Sequence, residues 1–384
     1  MGQNSSLESI ITPEISEEAA RKLAARIREA SALLQRCKAE VRKDIKDQDA
    51  VLDLFLTASV GDGHTLVESV PGLAKTTIIK SLAQAIHMSH NRVQFTADLQ
   101  PVDVTGSAVE NRNRKADSDP RWVFQPGPVF TQLLLADEIN RAPAKTQSAM
   151  LEAMAEGQVS IDGITHKLPR PFIVMATQNP LDQDGTSPLP EAQADRFLMK
   201  IIVDYPGAEA EQNIAHSQSS THIDLDAYFN LKAQYDAAQD PAEKLALKEQ
   251  LSGMVDKEKR LKAEMVFDDM DLLGMQQIAR SISVPKDVAA LAIQFVRALR
   301  PQENKNIAAD VQTGPSPRGE IALMQAMKAR VLVTSFEAHG QLQPTKQDLE
   351  AVLEPVLSHR LILNHRSKKT AQEIIAQVKN DLKF

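Results

Sequence analysis

The sequence predicts an α/β domain, a parallel sheet flanked by helices, followed by a smaller all-α domain. Three observations carry this. Leu133 to Ala136 is an apolar run that stops on Asp137-Glu138, the mark of a strand buried on both faces and ending at a polar tip. His64 to Ser69 is a second strand candidate, followed by a turn at Pro71-Gly72 and a helical pattern to about Ile86. From Asp268 onward, amphipathic helices follow one another with no strand signal between them.

Composition bounds the rest. At 384 residues the chain has room for two or three domains. Aromatic residues make up only 4%, so aliphatic and Met side chains must fill the core. With 44 basic and 51 acidic residues the net charge is −7, which argues against a dedicated nucleic-acid binder. The single cysteine, Cys37, excludes an intrachain disulfide and suits a reducing compartment; within a helical pattern it reads as core filler. No run of 18 apolar residues and no signal peptide is present, so neither membrane insertion nor export is expected and the location expected is cytoplasmic. MGQNSS fits the myristoylation pattern formally, but so short a pattern reads as chance.

In order, residues 1–15 read as a polar lead. Glu17 to about Val41 and Asp49 to Ser59 read as helices. Ser69-Val-Pro-Gly-Leu-Ala-Lys-Thr-Thr77 then departs from the phosphate-loop pattern at both glycines, with Ser69 at the first and Ala74 at the second. The physical requirement is a turn of backbone N–H groups before a helix N-terminus, which Pro71-Gly72 can supply. Ser69, Pro71, Gly72, Leu73, Ala74, Lys75, Thr76 and Thr77 are therefore the candidate phosphate-binding residues. Lys75 would reach the β- and γ-phosphates, and the Thr76 hydroxyl would take a metal ion. Arg92 to Phe95 reads as a strand, and residues 110–120 as a charged, solvated excursion, with Trp122 beside it read as packing and a substrate-contacting tip as the alternative.

The acidic strand follows. Two adjacent carboxylates at the carboxyl end of a parallel strand suit Mg-nucleotide chemistry: one holds the metal, the other polarises an attacking water. Pro143 to Glu156 is then helical, and residues 158–168 form a hairpin turning at Asp162-Gly163, a type I′ signal. Residues 171–180 hold a buried strand ending at Gln178-Asn179, where Asn179 could orient the water. Leu198 to Val203 is the last strand. Residues 204–265 are polar, with Ala242 to Glu264 a long charged helix read as a solvated face, a partner-docking arm being the alternative. Helices are expected over Met270–Ile282, Pro285–Leu299, Arg318–Phe336 and Thr345–Arg360, the last capped by Thr345 with Asp348, and over the tail from Thr370. The expected organisation is a helical lead at 1–43, a nucleotide core at 44–206, a polar insertion at 207–266 and a helical lid at 267–384.

The blocks LVESVPGLAKT, QFTADLQPVDVTG, FQPGPVFTQLLLADEINRAPAKTQSAMLEAMAEGQVSIDG, ATQNP, GTSPLPEAQADRF and GPSPRGEIALMQA resemble, in order, the MoxR family of AAA+ ATPases. The resemblance implies an AAA+ phosphate-loop core with an all-α lid, ATP and Mg2+ as ligands, and a homo-oligomeric ring, most simply a hexamer. It casts Lys75 and Thr76 as the phosphate-loop pair, Asp137 as the metal-side acid and Glu138 as the catalytic base. Asn179 would be the first sensor, Arg196 an arginine finger acting on the neighbouring subunit, and Arg318 the second sensor. It further implies chaperone-like remodelling of a client protein beside a partner with a von Willebrand factor A (VWA) domain. The excursion at 106–130 and the hairpin at 158–168 match the family's two insertions on the pore or substrate side. Ser69 departs from the pattern and motivates a second expectation, a nucleotide-gated binding module with little turnover. A DNA-translocating ring is opposed by the acidic balance.

Overall fold

The computed structural model describes residues 16–45, 47–69, 75–111, 121–179, 189–203, 207, 225–238, 240, 243–248, 250 and 263–383. The lead at 1–15 and most of the charged stretch at 242–264 lie outside them.

Helix α1 (Glu17–Val41) is capped by Ser16, whose side chain accepts from the Ala19 N–H. Its buried face runs through Ala20, Ala24, Ile27, Ala30, Leu34, Cys37 and Val41, spaced three and four apart. Helix α2 (Asp49–Val60) packs beside it, and the buried Lys38 ammonium meets Asp53 at 2.7 Å between the two.

The core is a five-stranded sheet in the order β2-β5-β8-β1-β9, every neighbouring pair parallel. Its members are β1 (Thr65–Ser69), β2 (His90–Gln94), β5 (Leu133–Asp137), β8 (Ile173–Gln178) and β9 (Met199–Val203). Central β5 and β8 are buried along their length except at the last residue, which is why they read as unbroken apolar runs. Edge strand β2 buries only Val93. Helix α3 (Lys75–Ala85) follows β1.

Two hairpins project from this core. After the single-turn helix α4 (Pro101–Thr105), β3 (Gly106–Glu110) pairs antiparallel with β4 (Trp122–Pro126). The expected solvated excursion is thus carried on a ladder that the charged residues had masked. Trp122 is 58% exposed, which corrects its assignment to packing: it stands at the solvent end of β4, paired across the ladder with Glu110. Helix α5 (Ala144–Glu156) leads into β6 (Gln158–Ile161) and β7 (Ile164–Lys167). Their turn has φ of 51° at Asp162 and 79° at Gly163, the two left-handed positions of a type I′ turn. The two hairpins meet where Phe124 of β4 stacks on His166 of β7, centroids 3.9 Å apart.

Single-turn α6 (Glu191–Ala194) precedes β9, and α7 (Leu225–Ala237) follows it. The lid comprises α8 (Asp269–Ser281), α9 (Lys286–Ala298), α10 (Pro317–Arg330), α11 (Phe336–His339), α12 (Lys346–Leu357) and α13 (Ala371–Asp381). Capping boxes open α8 with Asp268 and Asp271, α12 with Thr345 and Asp348, and α13 with Thr370 and Glu373. Two features depart from the expected helical series. A π-helical turn over Val331–Ser335 joins α10 to α11, and a short antiparallel pair, β10 (Val311–Thr313) with β11 (Ile362–Leu363), closes the lid.

The lid sits against the core through specific polar contacts. Gln276 donates to the Ser59 carbonyl at 3.0 Å, Gln325 donates to the Gly61 carbonyl, and Arg280 pairs with Asp62. The chain entering the lid is fastened to the end of α3: the Val266 N–H donates to the Ala85 carbonyl at 2.8 Å and Gln84 donates to the Ala263 carbonyl at 2.7 Å.

Candidate functional site

Because the five strands are parallel, their carboxyl ends share one edge of the sheet, the edge where ligands bind in open α/β folds. Asp137 is the last residue of β5. Glu138 follows in the left-handed region, φ 57° and ψ 48°, a conformation costing a non-glycine residue roughly 1–2 kcal/mol. The fully buried Thr177, near the tip of β8, holds it there. Its hydroxyl accepts from the Glu138 N–H at 2.9 Å and donates to Asp137 Oδ1 at 2.5 Å. One hydroxyl therefore fixes the backbone turn and the first carboxylate together.

The second carboxylate is held from β2 and from the 3-10 turn Ile139–Arg141. Gln94 Nε2 donates to Glu138 Oε2 at 3.0 Å, and Arg141 Nε reaches the same oxygen at 2.9 Å. The other end of the Gln94 amide accepts from Arg92 at 2.9 Å, and Arg92 also pairs with Asp137 Oδ2 at 2.7 Å. The two acids are thus joined in one network through Thr177, Gln94 and Arg92. Arg92 is half exposed, so its pairing with Asp137 contributes at most about 1 kcal/mol.

On the neighbouring strands, Asn179 lies half-buried one residue past β8, and Ser69 is buried at the tip of β1, in register with Val203. Thr76 and Thr77 lie half-buried in the first turn of α3, which begins at Lys75. Pro71, Gly72, Leu73, Ala74 and the Lys75 side chain lie outside the described residues.

Arg196 and Arg318 form a second group at the core–lid junction. Arg196 follows α6 with its side chain exposed, between the half-buried Asp195 and the fully buried Phe197. Arg318 stands in the first turn of α10, 63% exposed, with Nη1 3.9 Å from Asp195 Oδ2. The same Asp195 oxygen accepts from Ser316, the N-cap of α10, at 3.0 Å. Asp195 Oδ1 accepts from the buried Arg360 at 2.7 Å. Burial lowers the pKa of Arg360 and the Asp195 carboxylate opposes that shift. Next to it, His359 is held well below the ordinary imidazole range, first by burial and then by the Arg360 guanidinium.

Sequence reasoning singled out both acids, Asn179 and both arginines, and missed Thr177, Gln94, Arg92, Arg141, Asp195 and Arg360. Thr177 had a signal, a hydroxyl near the strand tip two residues before Asn179. Gln94 had none until the strand order placed it in register with Asp137.

Residues 64–199 match the profile of the ATPase family associated with various cellular activities (AAA), and residues 303–378 match an AAA lid domain. The chain is 35% identical to the chaperone MoxR1 of Mycobacterium tuberculosis over 86% of its own length and 76% of that protein. It is 35% identical to the uncharacterised YeaC of Bacillus subtilis, over 82% of each. To the MoxR protein of Paracoccus denitrificans it is 29% identical, over 83% of this chain and 85% of that one. Among solved structures, a candidate ATPase from Cytophaga hutchinsonii superposes with a TM-score of 0.76 at 28% identity, covering 94% of this chain and 97% of the other. With the parallel sheet, the acid pair at its edge and the helical lid, these likenesses assign the chain to the MoxR family of AAA+ ATPases.

Proposed function

We propose that this chain hydrolyses ATP at sites shared between the subunits of a homo-oligomeric ring, most simply a hexamer, and uses the turnover to remodel or mature a client protein. The observation that supports it most is the Asp137–Thr177–Glu138 arrangement, in which one buried hydroxyl locks two adjacent carboxylates at the tip of a central parallel strand. Residues 44–206 act as the nucleotide core, 267–384 as the lid and 1–43 as a helical lead, with 207–266 a surface for a partner. That partner is a VWA-domain protein, and the setting is the cytoplasm. Among the described residues no helix is long and apolar enough to cross a membrane.

Residues 69–77, with Ser69, Pro71, Gly72, Leu73, Ala74, Lys75, Thr76 and Thr77, wrap the phosphates, and Lys75 neutralises the β- and γ-groups. Asp137 and the Thr76 hydroxyl offer the oxygen donors that Mg2+ prefers alongside phosphate oxygens and water. When bound, the metal ion neutralises charge developing on the phosphates. Glu138 polarises the attacking water, and Asn179 orients it. Arg318 contacts the nucleotide through the lid, and Arg196 of the adjacent subunit stabilises the transition state, a contribution on the order of 10³–10⁵ in rate for such fingers.

The test is ATPase rate against protein concentration for wild type, Glu138→Gln and Arg196→Ala. Specific activity is expected to rise with concentration and to be lost in both variants while ATP binding persists. Normal turnover in Glu138→Gln overturns the reading. A second reading, a nucleotide-gated module with little hydrolysis, is favoured by Ser69 at the β1 tip and by Glu138 Oε2 being held by both Gln94 and Arg141. Wild type that binds ATP but stays inactive at every concentration selects it.

A further inference from the structure

Arg360 is the most heavily committed side chain at the core–lid junction. It belongs to the lid, in the 3-10 turn Ser358–Arg360 after α12, and is 3% exposed. Yet most of its donors are spent on the core segment that carries Arg196. Nε donates to Asp195 Oδ1 at 2.7 Å. Nη2 donates to the Asp195 carbonyl at 3.2 Å and to the Phe197 carbonyl at 2.7 Å. Nη1 donates to the Leu198 carbonyl at 3.2 Å and to the Val356 carbonyl of α12. Neighbouring His359 reaches the Phe197 carbonyl at 3.0 Å. The backbone is therefore gripped immediately before and after Arg196. The Arg196 guanidinium itself stays exposed, with no partner among the described residues. A planar five-donor group holds a curved set of acceptors in a way one ammonium cannot.

The other oxygen of Asp195 faces the lid's second device. It accepts from Ser316 at 3.0 Å and lies 3.9 Å from Arg318 Nη1. One carboxylate thus mounts the segments of both arginines, tightly toward Arg360 and loosely toward Arg318. From this geometry we propose that Arg360 and Asp195 are positioning residues that fasten Arg196 to the lid of its own subunit. This rests on the reading of Arg196 as a finger acting across the interface.

The test uses full-length chains in mixed assemblies. Glu138→Gln chains donate an intact finger but cannot hydrolyse; Arg196→Ala chains can hydrolyse but lack a finger. Mixed, they recover activity if the finger acts in trans. Arg360→Lys is then placed in one component at a time. The proposal expects recovered activity to fall ~10- to ~100-fold when Arg360→Lys sits in the Glu138→Gln donor, a loss of the size that misplacing a catalytic group by about 1 Å produces. It expects a much smaller fall, with unchanged KM for ATP, when the substitution sits in the Arg196→Ala acceptor. Asp195→Asn, which keeps the side-chain shape, should reproduce the donor-side bias, and melting curves of each chain report whether it folds. Equal losses from either side overturn the positioning role, as does donor-side substitution without effect. Failure of the two parent variants to recover any activity overturns the shared-site reading instead, and is seen before Arg360 is touched.

Discussion

Thr177 holds the geometry of Asp137 and Glu138 with a single oxygen. Valine at this position keeps the shape and removes both hydrogen bonds, leaving the Glu138 N–H without its buried acceptor. Such an orphan costs roughly 1–3 kcal/mol. We expect Thr177→Val to bind ATP, to lose between ~10- and ~100-fold in kcat, and to unfold at lower denaturant; kcat unchanged beside a lowered midpoint would reduce Thr177 to a purely structural role. Cys37 offers a second residue-scale check. Burial pushes its thiol up to about 12, and the thiolate is the reactive form. The native chain should resist alkylation over hours and react with one equivalent once unfolded; rapid native labelling would contradict its place in the α1 core. At this scale the sequence was informative where chemistry is carried by residue type, as in Asp137-Glu138. It was silent where chemistry is carried by position: Gln94 and Asp195 are ordinary polar residues until the fold brings a carboxylate or a guanidinium to them.

The elements were legible where a single period dominates. β5 and β8 appear as apolar runs because both faces are covered, and the α12 cap follows the Thr345 and Asp348 signal. The β3–β4 ladder was hidden because its strands are only partly buried and alternate weakly, so the charged residues between them outweighed it. Its geometry still imposes demands. Gly106 has φ of 91°, and a Cβ there would stand 2.3 Å from the Gln125 carbonyl; one on Gly127 would meet the Gly106 N at 2.4 Å. The two glycines let the ladder close against itself. Gly106→Ala should open this hairpin locally, with faster protease cleavage within 106–126 while the lid stays protected; unchanged cleavage would show that the hairpin tolerates the clash. The π-turn over Val331–Ser335 was equally invisible to a helical period. It accompanies a buried contact between the Ser335 hydroxyl and Asp348, whose carboxylate also faces Arg330 at 3.4 Å.

For the whole molecule, acid is the telling perturbation. His64 is half-buried between the Met154 carbonyl and the Val174 N–H, which donates to its Nδ1 at 3.1 Å. His359 is half-buried at the core–lid junction, and both imidazoles are held below their ordinary pKa, chiefly by desolvation. Each is neutral when folded and takes up a proton more readily when unfolded. Their contribution is complete above the ordinary imidazole value near pH 6.5 and is lost as pH falls toward the depressed folded values, at up to about 1.4 kcal/mol per pH unit for each. Melting temperature should therefore drop between pH 7 and 5, and less steeply in His359→Gln; a flat profile would contradict the desolvation of both rings. The pairing of core and lid was only partly legible, since contacts such as Gln276 with Ser59 join residues more than 200 positions apart.

The strap at 263–268 has a last consequence. Strand β9 ends at Val203, and the lid is entered through a segment bonded to Asp44, Gln84 and Ala85. The stretch between them is thus flanked by two segments anchored in the core, and the lid helices follow the second anchor. That makes the stretch a cassette. Its counterpart from a relative could be grafted between the two anchors without resetting the lid helices that follow.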